Sequence, residues 1–211
     1  MVSGNRLWSR GRWLITAVLL VGLTACARGP FSPEAREQSA SLDRYMNVLK
    51  GAAVTDDTFT WNTLSSALIV KALNYSPVVA RAAGERYAGD PAFAEETMAW
   101  RQTPRRNQSP PMIILMGVFA PDLGEKDITK LGRFRPSLMT ADGRIVQPLE
   151  IKRYGRDSVF MRDHFPIFNP WEEVFLVKFP ALAGSAGYGS PEFRLEWPGG
   201  VQTLVLGGGA Y

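Results

Sequence analysis

Residues 103–111 read Thr-Pro-Arg-Arg-Asn-Gln-Ser-Pro-Pro, and the apolar residues keep a different period on either side of that polar, proline-bracketed segment. Before it they recur at helical spacing; after it they alternate. A stripe patterned for one kind of element cannot bury its apolar side as the other, so the chain reads as a helical half followed by a β half. The expected class is therefore α+β. Residues 32–103 form a small helical subdomain, 104–111 a linker, 112–206 an antiparallel β-sandwich and 207–211 a tail.

Four helices are expected in the first half. Ser32 can cap the first, and Pro33 suits its opening position, where a missing N–H costs nothing. Leu42, Tyr45, Met46 and Leu49 follow at i, i+3, i+4 and i+7, and Gly51 ends the run after Lys50. Asp56 or Asp57 caps a second helix with Trp61, Leu64, Ala67, Leu68 and Ala72 on one face. Ser76-Pro77 repeats the opening, Val79, Ala82, Ala83 and Tyr87 make the stripe, and Gly89 stops it. Asp90-Pro91 begins a fourth helix through Trp100. Paired helices with such a turn suggest a solenoid, but an array needs several similar units and the sequence has no second copy.

In the second half, residues 112–120 are a compact apolar run suited to a buried strand. Phe134, Pro136, Leu138 and Thr140 alternate, Asp142-Gly143 turns the chain, and Ile145, Gln147, Leu149 and Ile151 alternate back, a hairpin signature. Pro136 and Pro148 place at least one arm at a sheet edge. Phe175, Val177 and Phe179 interleave with Val174, Leu176 and Lys178, the pattern of a strand covered on both faces. Residues 193–197 alternate, Pro198-Gly-Gly200 turns, and 201–206 return. Several short strands with turns and no helices between them predict a sandwich of immunoglobulin-like type.

The N-terminus carries a separate signal. Arg6, Arg10 and Arg12 precede an apolar run at 13–23, the charged and apolar regions of an export signal. The run is too short to cross a bilayer, which needs about 20 apolar residues. Leu23-Thr24-Ala25-Cys26 follows directly. This resembles the lipobox of bacterial lipoproteins. The resemblance implies cleavage of residues 1–25, a thioether-linked diacylglycerol on Cys26 and an acyl chain such as palmitate on the new amine. Residues 26–31 then form a lipidated tether. Position 27 is Ala; aspartate there would favour inner-membrane retention in the family's sorting rule, so the implied location is the periplasmic face of the outer membrane in a cell that has one.

Removing residues 1–25 takes away three arginines and no acid, so the formal charge falls from +4 to about +1. A nearly neutral body makes no electrostatic case for nucleic acid. Cys26 is the only cysteine, and lipidation uses it, which excludes a disulfide, a thiol nucleophile and a cysteine metal site.

Candidate chemistry is sparse. His164, the only histidine, lies in Arg162-Asp163-His164-Phe165 and could act as a general base oriented by Asp163. Neighbours on a strand point to opposite faces, which favours a surface or turn histidine instead. Asp122, Glu125 and Asp127 crowd one loop, but Lys126 sits among them and the spacing departs from an EF-hand, so a solvated loop is expected and no metal or other cofactor. No nucleophile elbow, phosphate loop or metalloprotease helix is present. Phe160, Phe165, Phe168 and Trp171 fall in a proline-interrupted segment with neither period. They either fold over one end of the core or form an exposed recognition patch, as rigid aromatics often do. The expectation is a lipid-anchored, non-enzymatic binding or assembly module with an envelope protein as partner. The alternatives are an envelope hydrolase using His164 and an accessory subunit of a secretion system. The type VI secretion lipoprotein is similar in being a small lipidated sandwich, and the long helical half of this chain departs from it.

Overall fold

The structure, a computed structural model, describes residues 33–60, 65–101, 110–120, 134–155, 158–182 and 190–206. The export signal, Cys26, Ser32, most of the linker, the loop with Asp122, Glu125 and Asp127, and the tail lie outside the described residues. The chain divides into two units between Arg44 and Tyr45, part-way along the first helix, and both sheets belong to the second unit, Tyr45–Tyr211.

Helix α1 (Pro33–Ala52) runs directly into β1 (Ala53–Thr60), which pairs with β2 (Ser65–Asn74). Helices α2 (Pro77–Arg86) and α3 (Pro91–Arg101) follow, then β3 (Met112–Phe119), β4 (Arg135–Met139), the two-residue β5 (Ile145–Val146) and β6 (Glu150–Gly155). Helix α4 (Val159–His164) precedes β7 (Glu173–Phe179), β8 (Glu192–Trp197) and β9 (Gly200–Val205). One sheet has the order β1-β2-β3-β7-β6 and the other β5-β4-β8-β9, and every pairing is antiparallel.

Strand alternation sorts the side chains of the five-stranded sheet into two cores. Val70, Ala72, Ile114, Met116, Phe175 and Val177 face the second sheet and pack with its Leu138, Phe193, Leu195 and Leu204. Leu73, Ile113, Leu115, Val174 and Leu176 belong to the other core, with Tyr45, Leu49, Val79, Phe93, Trp100 and Phe165 from the helices. Leu73, Leu115 and Leu176 stand in register across three strands beneath that layer. Strands buried on both faces read as near-continuous apolar runs, which is the sequence of β2, β3 and β7.

The second of the four expected helices is corrected: residues 53–60 and 65–74 are a β-hairpin. Leu68 and Ala72 are four apart, an even spacing that shares one face of a strand as well as of a helix. Ile69-Val70 and the threonines of β1 carry the β preference that decides between them. The expected hairpin at Asp142-Gly143 forms, with Leu138 opposite Val146 and Met139 opposite Ile145. Its return arm, however, ends at Val146. Beyond Pro148 the chain changes sheet, and residues 150–155 pair with β7. A proline cannot donate to the ladder, so the arm breaks there. Pro136 is tolerated inside the second sheet because β5 covers only the far end of β4.

Candidate functional site

Histidine 164 is neither a strand residue nor a surface one. Ser158 caps α4, its hydroxyl accepting from the Met161 N–H at 3.2 Å, and the single helical turn that follows carries His164 into the helix-side core, where it is 8 % exposed. Its ring lies 4.6 Å from Phe160 and from Tyr87, and 5.2 Å from Phe93. Nδ1 is 2.9 Å from the Phe160 carbonyl and Nε2 is 2.9 Å from Oδ2 of Asp90. An acceptor of the chain thus faces each nitrogen. Asp163, the neighbour suggested as its partner, is exposed and lies 3.8 Å from Arg162.

Asp90 serves two elements at once. Oδ1 accepts from the N–H groups of Ala92 and Phe93 at 2.9 and 3.2 Å and so caps α3, while Oδ2 meets His164. The hydrogen bond from His164, with those from the α3 backbone, holds the Asp90 carboxyl below its ordinary 3.8. The tyrosines complete the attachment of α4. Tyr45 of α1 donates to the His164 carbonyl at 2.7 Å, and Tyr87 after α2 donates to the Asp163 carbonyl at 2.8 Å. Burial pushes the hydroxyls of both tyrosines up, leaving them as neutral donors. A general base needs a nitrogen lone pair aimed at substrate. Both nitrogens of His164 are taken up by the chain itself, and the arrangement joins α4 to the start of α3.

The four aromatics of residues 160–171 are not brought together on the surface. Phe165 and Phe168 are buried in the helix-side core, Phe160 packs against it half-buried, and Trp171 alone is open, at 67 % exposure. Phe168 and the carboxylate of Glu172 both press on Gly117 of β3, where an added Cβ would lie 2.7 Å from each. Glu172, 2 % exposed, accepts from Lys71 Nζ and from the Asn169 amide, each at 2.9 Å, and Lys71 also donates to the Ile167 carbonyl at 2.7 Å. A buried carboxylate must be paired, and this one is. A second cluster fixes α3 to β6: Glu96 accepts from Lys152, Tyr154 and the Trp100 indole. Partial burial pushes the Glu96 carboxyl up, and the hydrogen bonds from Lys152, Tyr154 and Trp100 overcome it and leave it below its usual range.

Beside His164, between α2 and α3, lies an open cleft of about 490 Å³. Ala80 and Gly84 form one wall, Ala94 and Met98 the other, and Tyr75 and Phe93 the floor. No group of three or more metal-ligating side chains occurs among the described residues. No described helix is long and apolar enough to cross a membrane. Comparison of the chain with protein-family models, with curated proteins and with solved structures gives no match. Sequence reasoning identified Asp90 only as a cap and missed Lys71, Glu172, Glu96 and the cleft. The one local signal was Gly117, a lone glycine inside an apolar strand, which marks a close approach from outside.

Proposed function

We propose that this chain is a lipid-anchored protein of the bacterial cell envelope that works as a non-enzymatic binding or assembly module. Anchoring rests on the order of Arg6, Arg10 and Arg12, the apolar run and Leu23-Thr24-Ala25-Cys26. Several acyl chains at about 0.8 kcal/mol per buried CH₂ hold a protein on a membrane durably, where a single chain does not. The five residues between Cys26 and Ser32 reach about 20 Å when extended, so the body works close to that membrane. The outer membrane is favoured by Ala27, and an envelope protein is the expected partner.

The observation that carries binding over hydrolysis is His164. Both of its nitrogens are occupied by acceptors of the chain, whereas the accessible space beside it is mostly apolar. Ligand sites are mostly apolar with a few placed polar groups. We read the body as an immunoglobulin-like sandwich. The order β2-β3-β7-β6 facing β5-β4-β8-β9 corresponds to strands A-B-E-D and C′-C-F-G, with β1 added outside A. In that reading α2 and α3 are an insertion between A and B, and α4 one between D and E.

Mass spectrometry of the mature protein tests the anchor: an acylated Cys26 as first residue is expected, and an unmodified cysteine in a processed chain overturns it. The binding reading predicts that His164→Gln, at matched protein level, keeps the cellular role that deletion reveals. Loss of that role with fold and abundance intact would instead favour the hydrolase.

A further inference from the structure

We propose that the cleft between α2 and α3 binds a small amphiphile with an apolar chain and a carboxylate head. This deepens the binding-module reading by naming a ligand class. The volume of about 490 Å³ falls within the roughly 300–1,000 Å³ of sites that take small molecules.

Two independent observations point to an occupant. Gly84 lies inside α2, where glycine costs about 1 kcal/mol relative to alanine. A Cβ there would meet nothing within 4 Å, so no neighbouring atom of the described chain demands a glycine. What its absent side chain leaves open is the cleft. The second observation is the distribution of charge. Asp90 lines one end, but its carboxylate is taken up by His164 and the α3 backbone. Arg101 lines the other end, its guanidinium 5.9 Å from the Tyr75 ring, and no carboxylate pairs with it among the described residues. Tyr75, 7 % exposed, lines that end as well, whereas the Thr97 hydroxyl is donated to the Phe93 carbonyl at 2.8 Å. The result is an apolar trough with a cationic, hydrogen-bonding terminus. A guanidinium fork matches a carboxylate, and the trough matches an alkyl chain.

The test is calorimetric titration of decanoate, decanol and decyltrimethylammonium, each as monomer, into the full-length lipidated protein in nanodiscs, with empty nanodiscs subtracted. Decanoate should bind saturably at one site, decanol at least about tenfold more weakly and the ammonium compound not at all. Arg101→Gln should weaken decanoate about tenfold and leave decanol unchanged. Gly84→Leu should abolish binding of both. Ala94→Leu, from the opposite wall, should do the same without altering α2, and melting temperatures no lower than the wild type's verify that both variants fold. Absence of saturable decanoate binding overturns the proposal, as does equal binding of the ammonium compound or decanoate binding unaffected in all three variants. These outcomes are read on the cleft alone, whereas the anchor stands or falls on the mass of the N-terminus.

Discussion

His164 contributes through its ring faces and its two nitrogens together. Truncation to alanine removes a ring stacked among Phe93, Phe160 and Tyr87 and releases Asp90 and the Phe160 carbonyl from their partner. His164→Ala should therefore lower unfolding free energy by about 2–4 kcal/mol in urea titrations. The pH dependence follows from Asp90. Its carboxyl titrates below 3.8 in the folded state, so its contribution is complete above the unfolded value and disappears as pH falls through the folded one. As pH falls below about 4 the stability of Asp90→Asn should fall less steeply than that of the wild type. The aromatic segment separates in the same assay. Phe168→Ala should cost about 3–5 kcal/mol because the ring is buried against Gly117, whereas exposed Trp171→Ala should stay within about 0.5 kcal/mol. Comparable losses for the two would contradict their placement.

At the scale of elements, the connection between α4 and β7 is attached to the sheet by the buried Phe168 and by one ion pair. Lys71 projects from β2 beside Gly117 of β3, and Glu172 lies over that glycine. The missing side chain at 117 is what admits a carboxylate so close to the strand. Removing one partner strands a charge in a poorly solvated place, which costs about 3–5 kcal/mol, whereas removing both costs much less than the sum. The cycle of Lys71→Met, Glu172→Gln and the double variant, measured by urea unfolding, should thus show strong coupling. Additive losses would mean that the pair does not hold this connection. Helix α3 is tied down separately, through Glu96, Trp100, Lys152 and Tyr154. The cleft therefore has one wall clamped at both ends, by Asp90–His164 and by this cluster.

For the whole molecule, the five-stranded sheet is shared by two cores, so its central strands are covered on both sides. That explains how a chain with a single cysteine, itself consumed by lipid in our reading, can depend on packing alone. Chelation should accordingly leave the melting temperature of the full chain unchanged. A large drop would point to an oxygen-ligand site, with Asp122, Glu125 and Asp127 the first residues to replace.

Local chemistry settled what lies within reach of a few residues. Ser76-Pro77 and Asp90-Pro91 specify helix starts through their own side chains and fixed backbone angles, and Asp142-Gly143 specifies a turn in the same way. The alternation of 173–179 reports a doubly covered strand because both faces are apolar. Only the tertiary structure decided the rest. Residues 65–74 satisfy either period, and they become a strand because β1 pairs along nearly their whole length, β3 pairs with 69–74, and two apolar layers cover them. Residues 145–151 look like one arm, and the second sheet claims only their beginning because β7 has an open edge for the remainder. His164 finds its carboxylate on Asp90, 74 positions away, rather than on its neighbour. Pairing between distant residues depends on which surfaces the fold brings into contact, and a single chain read in order carries no record of that.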